Sequence, residues 1–174
     1  MKLKKGFVQI YTGDGKGKTT AAMGLALRAV GAGMKVFIVQ FLKKKASSEF
    51  IPLAHLSNSI TFAQYGKDCL IKDKPTEEDK VLARRGLRDA RKAIVSGKYD
   101  LVILDEANVA VWFDLLSVDD LLDLIKKKPD HVELVFTGRK ADPKLIEAAD
   151  LVTEMKEIKH YYRQGVSART GIED

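Results

Sequence analysis

Short apolar runs alternate along this chain with longer stretches in which apolar residues recur every three or four positions. The runs read as strands: Phe7–Tyr11, Val36–Phe41, Ile60–Gln64, Leu101–Leu104, Val132–Thr137 and Leu151–Met155. Val36–Phe41 is almost continuously apolar, the pattern of a parallel strand covered on both faces. Between the strands, Ala22, Leu25, Ala26 and Ala29 predict a helix from about Lys18 to Ala32, stopped by Gly31 and Gly33. That helix is apolar on most sides and is expected to be buried against the sheet. Thr76 caps a second helix, with Glu77, Glu78 and Asp79 in its first turn and a stripe of Ala83, Leu87, Ala90 and Ile94, and Gly97 ends it. Ser117 caps a third, whose core face is Val118, Leu121, Leu122 and Ile125, and Asp142-Pro143 opens a short fourth. Lys43–Phe50 and Gly66–Pro75 read as loops, and the chain from Lys156 onward as a polar tail. Alternating strands and helices predict an α/β fold: a doubly wound parallel sheet with right-handed crossovers, its ligands at the carboxyl ends of the strands.

Composition narrows the class. A chain of 174 residues, 45% hydrophobic and 31% charged, suits one soluble domain covering residues 1–174. No apolar run approaches the roughly 20 residues of a membrane helix. Met1–Lys5 leads directly into a strand without a secretory h-region, and the single cysteine, Cys69, allows neither an internal disulfide nor a cysteine metal cluster. A cytoplasmic protein without membrane partners is expected. The net charge of +6 points to polyanionic ligands. The basic clusters Lys2–Lys5, Lys43–Lys45 and Lys126–Lys128 are scattered and not interleaved with aromatics, so nucleotides fit better than nucleic acid. His55, His131 and His160 have no metal-ligand spacing, and Cys69 has no evident histidine partner.

The chemistry concentrates in Thr12-Gly13-Asp14-Gly15-Lys16-Gly17-Lys18-Thr19-Thr20, between the first strand and the first helix. Strand, glycine-rich turn, Lys-Thr and helix is the order of a phosphate-binding loop, so the fold class sharpens to a P-loop NTPase (RecA-like) parallel sheet flanked by helices. Glycines allow backbone N–H groups to converge on an anion, and the helix behind adds unpaired N–H groups and its positive dipole end. Lys18, expected to be exposed in the loop, supplies charge to the phosphates, and Thr19 a hydroxyl to a magnesium ion. The loop is altered: the usual spacing puts the first glycine at position 12, where this chain has Thr12, with Gly13 one step late. Asp14 and Lys16 also place charges within it.

Asp105 and Glu106 end an apolar strand in the manner of a Walker B segment, where an acid reaches the ion beside Thr19 directly or through water. Spacing alone does not say which acid is nearer. Arg139, in Thr137-Gly138-Arg139 at the next strand end, reads either as a bidentate phosphate clamp or as a surface charge. Arg28, two and a half helical turns beyond Thr19, reads as a more remote phosphate ligand or as a surface ion pair.

Together these residues resemble the ATP:corrinoid adenosyltransferases of the cob(I)yrinic acid a,c-diamide type. The similarity runs through Thr12–Ala22, Arg28–Gly31, Val39–Lys43, Leu104–Ala107, Phe136–Arg139, Ile158–His160, Gly165–Ala168 and Gly171–Glu173 in unbroken order. The resemblance implies attack by the Co(I) of a reduced corrinoid on the 5′ carbon of ATP, with inorganic triphosphate released, in adenosylcobalamin synthesis or salvage. Because Co(I) is itself the nucleophile, the protein need only position the carbon and neutralise the leaving group. The implied substrates are ATP and the corrinoid, with Mg2+ beside them. The implied catalytic residues are Lys18 and Glu106, and the nucleotide ligands Gly13, Asp14, Gly15, Lys16, Gly17, Lys18, Thr19, Thr20, Arg28 and Arg139. Thr19, Asp105 and Glu106 would handle the metal. A reduced flavoprotein electron donor and a homodimer are implied in the same way. Some family members carry Gly-Phe-Thr-Trp where this chain has Gly66-Lys67-Asp68-Cys69, so the aromatic wedge that helps displace cobalt's lower axial ligand is missing here: either Tyr65 or another apolar group replaces it, or the corrinoid is handled differently. The alternative, a RecA-like ATPase with Glu106 activating water, predicts ADP and orthophosphate instead.

Overall fold

The computed structural model describes residues 3–43, 48–56, 58–67 and 74–173. Six strands, β1 Val8–Thr12, β2 Val36–Phe41, β3 Ile60–Tyr65, β4 Leu101–Asp105, β5 Glu133–Thr137 and β6 Leu151–Glu154, form one sheet in the order β3-β2-β4-β5-β1-β6. Every pairing is parallel. All six carboxyl ends therefore lie on one edge. β5 sits between β1 and β4, so the end of β5 separates the glycine-rich loop from Asp105.

The helices are α1 Lys18–Gly31, α2 Phe50–Ala54, α3 Glu77–Val95, α4 Ala107–Trp112, α5 Val118–Lys127 and α6 Pro143–Ala148, and a 3-10 turn spans Tyr161–Gln164. Strand alternation splits the core into two layers. On one face Val36, Ile38, Leu101, Ile103 and Val135 pack under α1 through Ala22, Met23, Ala26 and Ala29. On the other Phe37, Val39, Phe41, Val102, Leu104, Leu134 and Phe136 pack under α3, α4 and α5. This is the two-sided burial that the apolar run of β2 implies, and all six of its residues are buried.

The two capped helices form as their sequences dictate. Thr76 and Asp79 make a reciprocal capping box on α3, and Ser117 and Asp120 make another on α5. Ala83, Leu87, Ala90 and Ile94 are all buried. Asp142 caps α6 with Pro143 in its first turn.

Three expectations need correction. α1 buries one face only, and Leu27 is 51% exposed, because the helix lies on the outer surface of the sheet and small alanines bring that one face close. In α5 the deepest residues are Leu121 and Leu124, while Val118, Leu122 and Ile125 only rim the core. The seam is rotated because α5 also packs on α3 and α6. Finally, α2 and α4 fall where no helix is expected, and α2 begins inside the expected loop Lys43–Phe50. Residues 44–47, and 68–73 of the loop Gly66–Pro75, lie outside the described residues.

Candidate active site

β1 ends at Thr12, whose register partner on β6 is Glu154, and Met155 N–H donates to the Thr12 carbonyl at 2.8 Å. The chain leaves the sheet one residue later, at Gly13. There φ is +93°, and a Cβ would lie 2.5 Å from the Met155 carbonyl oxygen. Only glycine tolerates both conditions. The late glycine is therefore where the loop of this chain needs it, because the segment leaving β6 runs against the loop. Gly15 N–H donates to that Met155 carbonyl at 2.6 Å. Gly17, at φ +116°, turns the chain into α1 without any side-chain cap, and no acidic residue occupies the helix's first turn. The first N–H groups of α1 are thus left to an anionic ligand.

Lys18 is not exposed, as expected from the sequence, but buried. Its Nζ donates to the carbonyls of Gly13 and Gly15, each at 2.7 Å, and so spans the inside of the loop. Burial, followed by the charge of Arg139, holds its pKa below the usual lysine value, against the opposing pull of Glu106, Asp14 and Asp105.

Asp105 is fully buried at the end of β4. Its Oδ1 accepts from Thr19 Oγ1 at 2.9 Å and from Thr137 Oγ1 at 2.6 Å, and its Oδ2 accepts from Gln40 Nε2 at 2.8 Å. Gln64 Nε2 donates in turn to Gln40 Oε1 at 2.7 Å. Thr137 is bifunctional, because its hydroxyl also accepts the Glu106 N–H at 3.0 Å. Sheet register creates this network: Gln40 lies opposite Asp105 and also opposite Gln64.

Glu106 holds φ +60°, a region that costs a non-glycine residue about 1–2 kcal/mol, and lines the cleft where Asp105 does not. Burial, then the neighbouring charge of Asp105, raises its pKa, with Lys43, Lys18 and Arg139 opposing. The two acids are thus sorted: Asp105 anchors Thr19, and Glu106 faces the open space.

The cleft above the loop holds about 680 Å³. Asp14, Gly15, Lys16, Gly17, Lys18, Thr19, Thr20 and Arg139 all line it. Arg139 is exposed at the mouth, with Nη1 3.7 Å from Asp14 Oδ1. Such an exposed pair is worth little by itself and leaves the guanidinium available to a ligand. Arg28 is not brought to the cleft: it is exposed in the last turn of α1, roughly 13 Å along the axis from Thr19. The sequence motifs single out neither Gln40 nor Met155, although a glutamine inside an otherwise apolar, fully buried strand is a signal for the first.

A parallel sheet whose first strand runs through a glycine-rich Lys-Thr loop into a helix, facing a strand-end acid bonded to that threonine, defines a P-loop nucleotide-binding protein. The solved structure of the flagellar accessory protein FlaH from Methanocaldococcus jannaschii shares this fold, with a TM-score of 0.57, 15% identity, and coverage of 87% of this chain and 72% of that one. Sequence comparison is more specific. The profile of the family described as ATP:corrinoid adenosyltransferase BtuR/CobO/CobP matches residues 4–173. Corrinoid adenosyltransferase of Pseudomonas aeruginosa is 34% identical over 171 residues, covering 98% of this chain and 84% of that protein. The Escherichia coli K12 corrinoid adenosyltransferase is 32% identical over 170 residues, covering 98% and 86%. This chain belongs to the ATP:corrinoid adenosyltransferase family.

Proposed function

We propose that this chain transfers the 5′-deoxyadenosyl group of ATP to the Co(I) of a reduced corrinoid in cobalamin synthesis or salvage. The cobalt–carbon bond forms with the electron pair of Co(I), and the C5′–O bond breaks with its pair leaving on inorganic triphosphate. The family match over residues 4–173, set on a cleft built for a polyphosphate, carries this reading.

The chain's residues fit the demands of that step. No side chain has to act as base, so the work is placement and charge neutralisation. The uncapped N-terminus of α1 would face the phosphates, and Lys18 and Lys16 would supply positive charge. Arg139 at the mouth adds a fork able to grip a phosphate oxygen. Thr19, Asp105 and Glu106 are an all-oxygen donor set, which suits magnesium. Glu106, pushed up by burial and then by the neighbouring charge of Asp105, sits at a corner that a cation relieves. Among the described residues no group of three or more His, Cys, Asp or Glu forms a self-sufficient metal cage. That matches an ion held by few protein groups together with substrate phosphates. When bound, magnesium would add charge neutralisation at the leaving triphosphate. Thr19 and Glu106 would contact it, and Asp105 would orient Thr19.

The aromatic wedge of some family members has no counterpart in Gly66 and Lys67 of this chain. Lys67 is tied to the start of α3, 2.8 Å from Thr76 Oγ1 and 3.0 Å from Glu78, and the Tyr65 hydroxyl is held by Asp89 at 2.5 Å. Tyr65 does not line the nucleotide cleft, and Asp68 and Cys69 lie outside the described residues. Resemblance to the family supports a reduced flavoprotein as electron donor, a homodimer, one catalytic domain over residues 1–174, and a cytoplasmic location. No helix of the described residues is long and apolar enough to cross a membrane.

Anaerobic incubation with MgATP and chemically reduced cob(I)alamin tests the proposal. The absorbance of an alkylated corrinoid should appear only with all components present. Steady ATP hydrolysis without corrinoid would instead establish the RecA-like ATPase.

A further inference from the structure

The cleft has a wall that the nucleotide motifs do not explain. His160, Gly171, Ile172 and Glu173 line it from the tail, although they follow the last strand. The tail reaches the loop through Lys16, whose Nζ donates to the Ile172 carbonyl at 2.5 Å and lies 3.3 Å from Glu173 Oε1.

Glu173 is itself held firmly. Arg169 donates to its two oxygens through Nη2 at 3.0 Å and Nε at 3.2 Å, and the Arg169 N–H adds a third bond at 2.8 Å. The Tyr161 hydroxyl donates to Oε1, and the Arg169 guanidinium lies over the Tyr161 ring at 5.0 Å. Only 14% of the Glu173 side chain is exposed, against 43% for Lys16. An isolated surface lysine–glutamate pair would mean little. Here the carboxylate is a fixed point, gripped by a planar arginine fork, and the lysine is the flexible member brought to it. A lysine side chain left free must lose rotamer freedom on every binding event. One already held above the loop loses less.

We propose that Glu173 is a positioning residue of the triphosphate site: it acts through Lys16, holding that lysine above the phosphate loop. The inference rests on reading this cleft as the site of ATP, and it assigns the C-terminal network a part in binding the polyphosphate.

A double-mutant cycle separates this role from simple folding. The dissociation constant of MgATP is measured by calorimetry, without corrinoid, for the full chain and for Glu173→Ala, Glu173→Gln, Lys16→Ala and the Lys16→Ala/Glu173→Ala double variant. Glu173→Ala should weaken MgATP about tenfold in the parent chain and less than about twofold once Lys16 is gone. Glu173→Gln, which keeps the length and one acceptor but not the charge, should fall between. The urea midpoint should stay within error for all four, since the tail carries none of the core. An unchanged or tighter affinity for Glu173→Ala, or an equal loss in both backgrounds, overturns the inference. If the parent chain fails to bind MgATP, both the inference and the reading of the cleft fall. Parent chain that transfers adenosyl while the cycle is additive removes the inference alone.

Discussion

Replacing Thr137 by valine removes one oxygen and almost no volume, at the point where the loop, β4 and β5 meet. The Thr137 hydroxyl is fully buried, donates to Asp105 at 2.6 Å and accepts from the Glu106 N–H at 3.0 Å. Valine leaves that N–H without a partner, a cost of about 1–3 kcal/mol. It also takes one of three donors from a buried carboxylate, where a charge-assisted bond contributes about 1.5–3 kcal/mol. Removal of the hydroxyl's own desolvation offsets part of this, so Thr137→Val should lower stability by about 2–4 kcal/mol. For a chain of this size that corresponds to a fall in Tm of about 4–16 °C. Urea unfolding of the parent chain, Thr137→Val and Thr137→Ser measures it, with serine expected to recover most of the loss because it restores both bonds. A valine variant within about 0.5 kcal/mol of the parent, or a serine variant as weak as valine, would refute the assignment of Thr137 as the link between the two acids.

Other expectations follow from the same geometry. Lys18→Ala should abolish adenosyl transfer and also lower stability by about 1–2 kcal/mol, because it strips the carbonyls of Gly13 and Gly15 of their donor; unchanged turnover would remove Lys18 from the site. Glu106→Ala should raise the magnesium concentration needed for half-maximal transfer by about tenfold while protein stability holds or improves, since a buried like charge and its repulsion are lost; an unaltered magnesium dependence contradicts the metal role. Tyr65 has a pKa pushed up to about 12, first by burial and then by its bond to Asp89. A folded pKa above the unfolded one means its contribution is complete below about pH 10 and is lost as pH rises through about 12. The stability gap between the parent chain and Tyr65→Phe should therefore narrow across that window, and a gap independent of pH would sink the argument.

The elements legible in the sequence are those with strong local signals. The capping box of Thr76 and Asp79 and the stripe from Ala83 to Ile94 describe α3 almost completely. The continuous run of β2 announces its two-sided burial. α4 is different: it starts directly after a left-handed Glu106, with no side-chain cap, and is held by contacts with β2 and β5 that no local pattern records. The phosphate loop and the strand-end acids were visible as motifs, but their division of labour was not. Whether Asp105 or Glu106 faces the cleft depends on the left-handed turn by which Glu106 leaves the end of β4, and on Thr19 from α1, Gln40 from β2 and Thr137 from β5 arriving at one level. Spacing likewise does not say that Lys18 folds back into its own loop, or that Arg28, on the same helix, stays far from it. The shifted glycine also had to wait for the structure, because its cause is Met155, distant in the chain and adjacent in space.

The fate of the three phosphates tests the central claim most directly. Phosphorus NMR of a reaction holding the chain, MgATP and cob(I)alamin should show inorganic triphosphate growing in step with the alkylated corrinoid, with no early ADP. ADP and orthophosphate formed at the same rate whether or not corrinoid is present would contradict it.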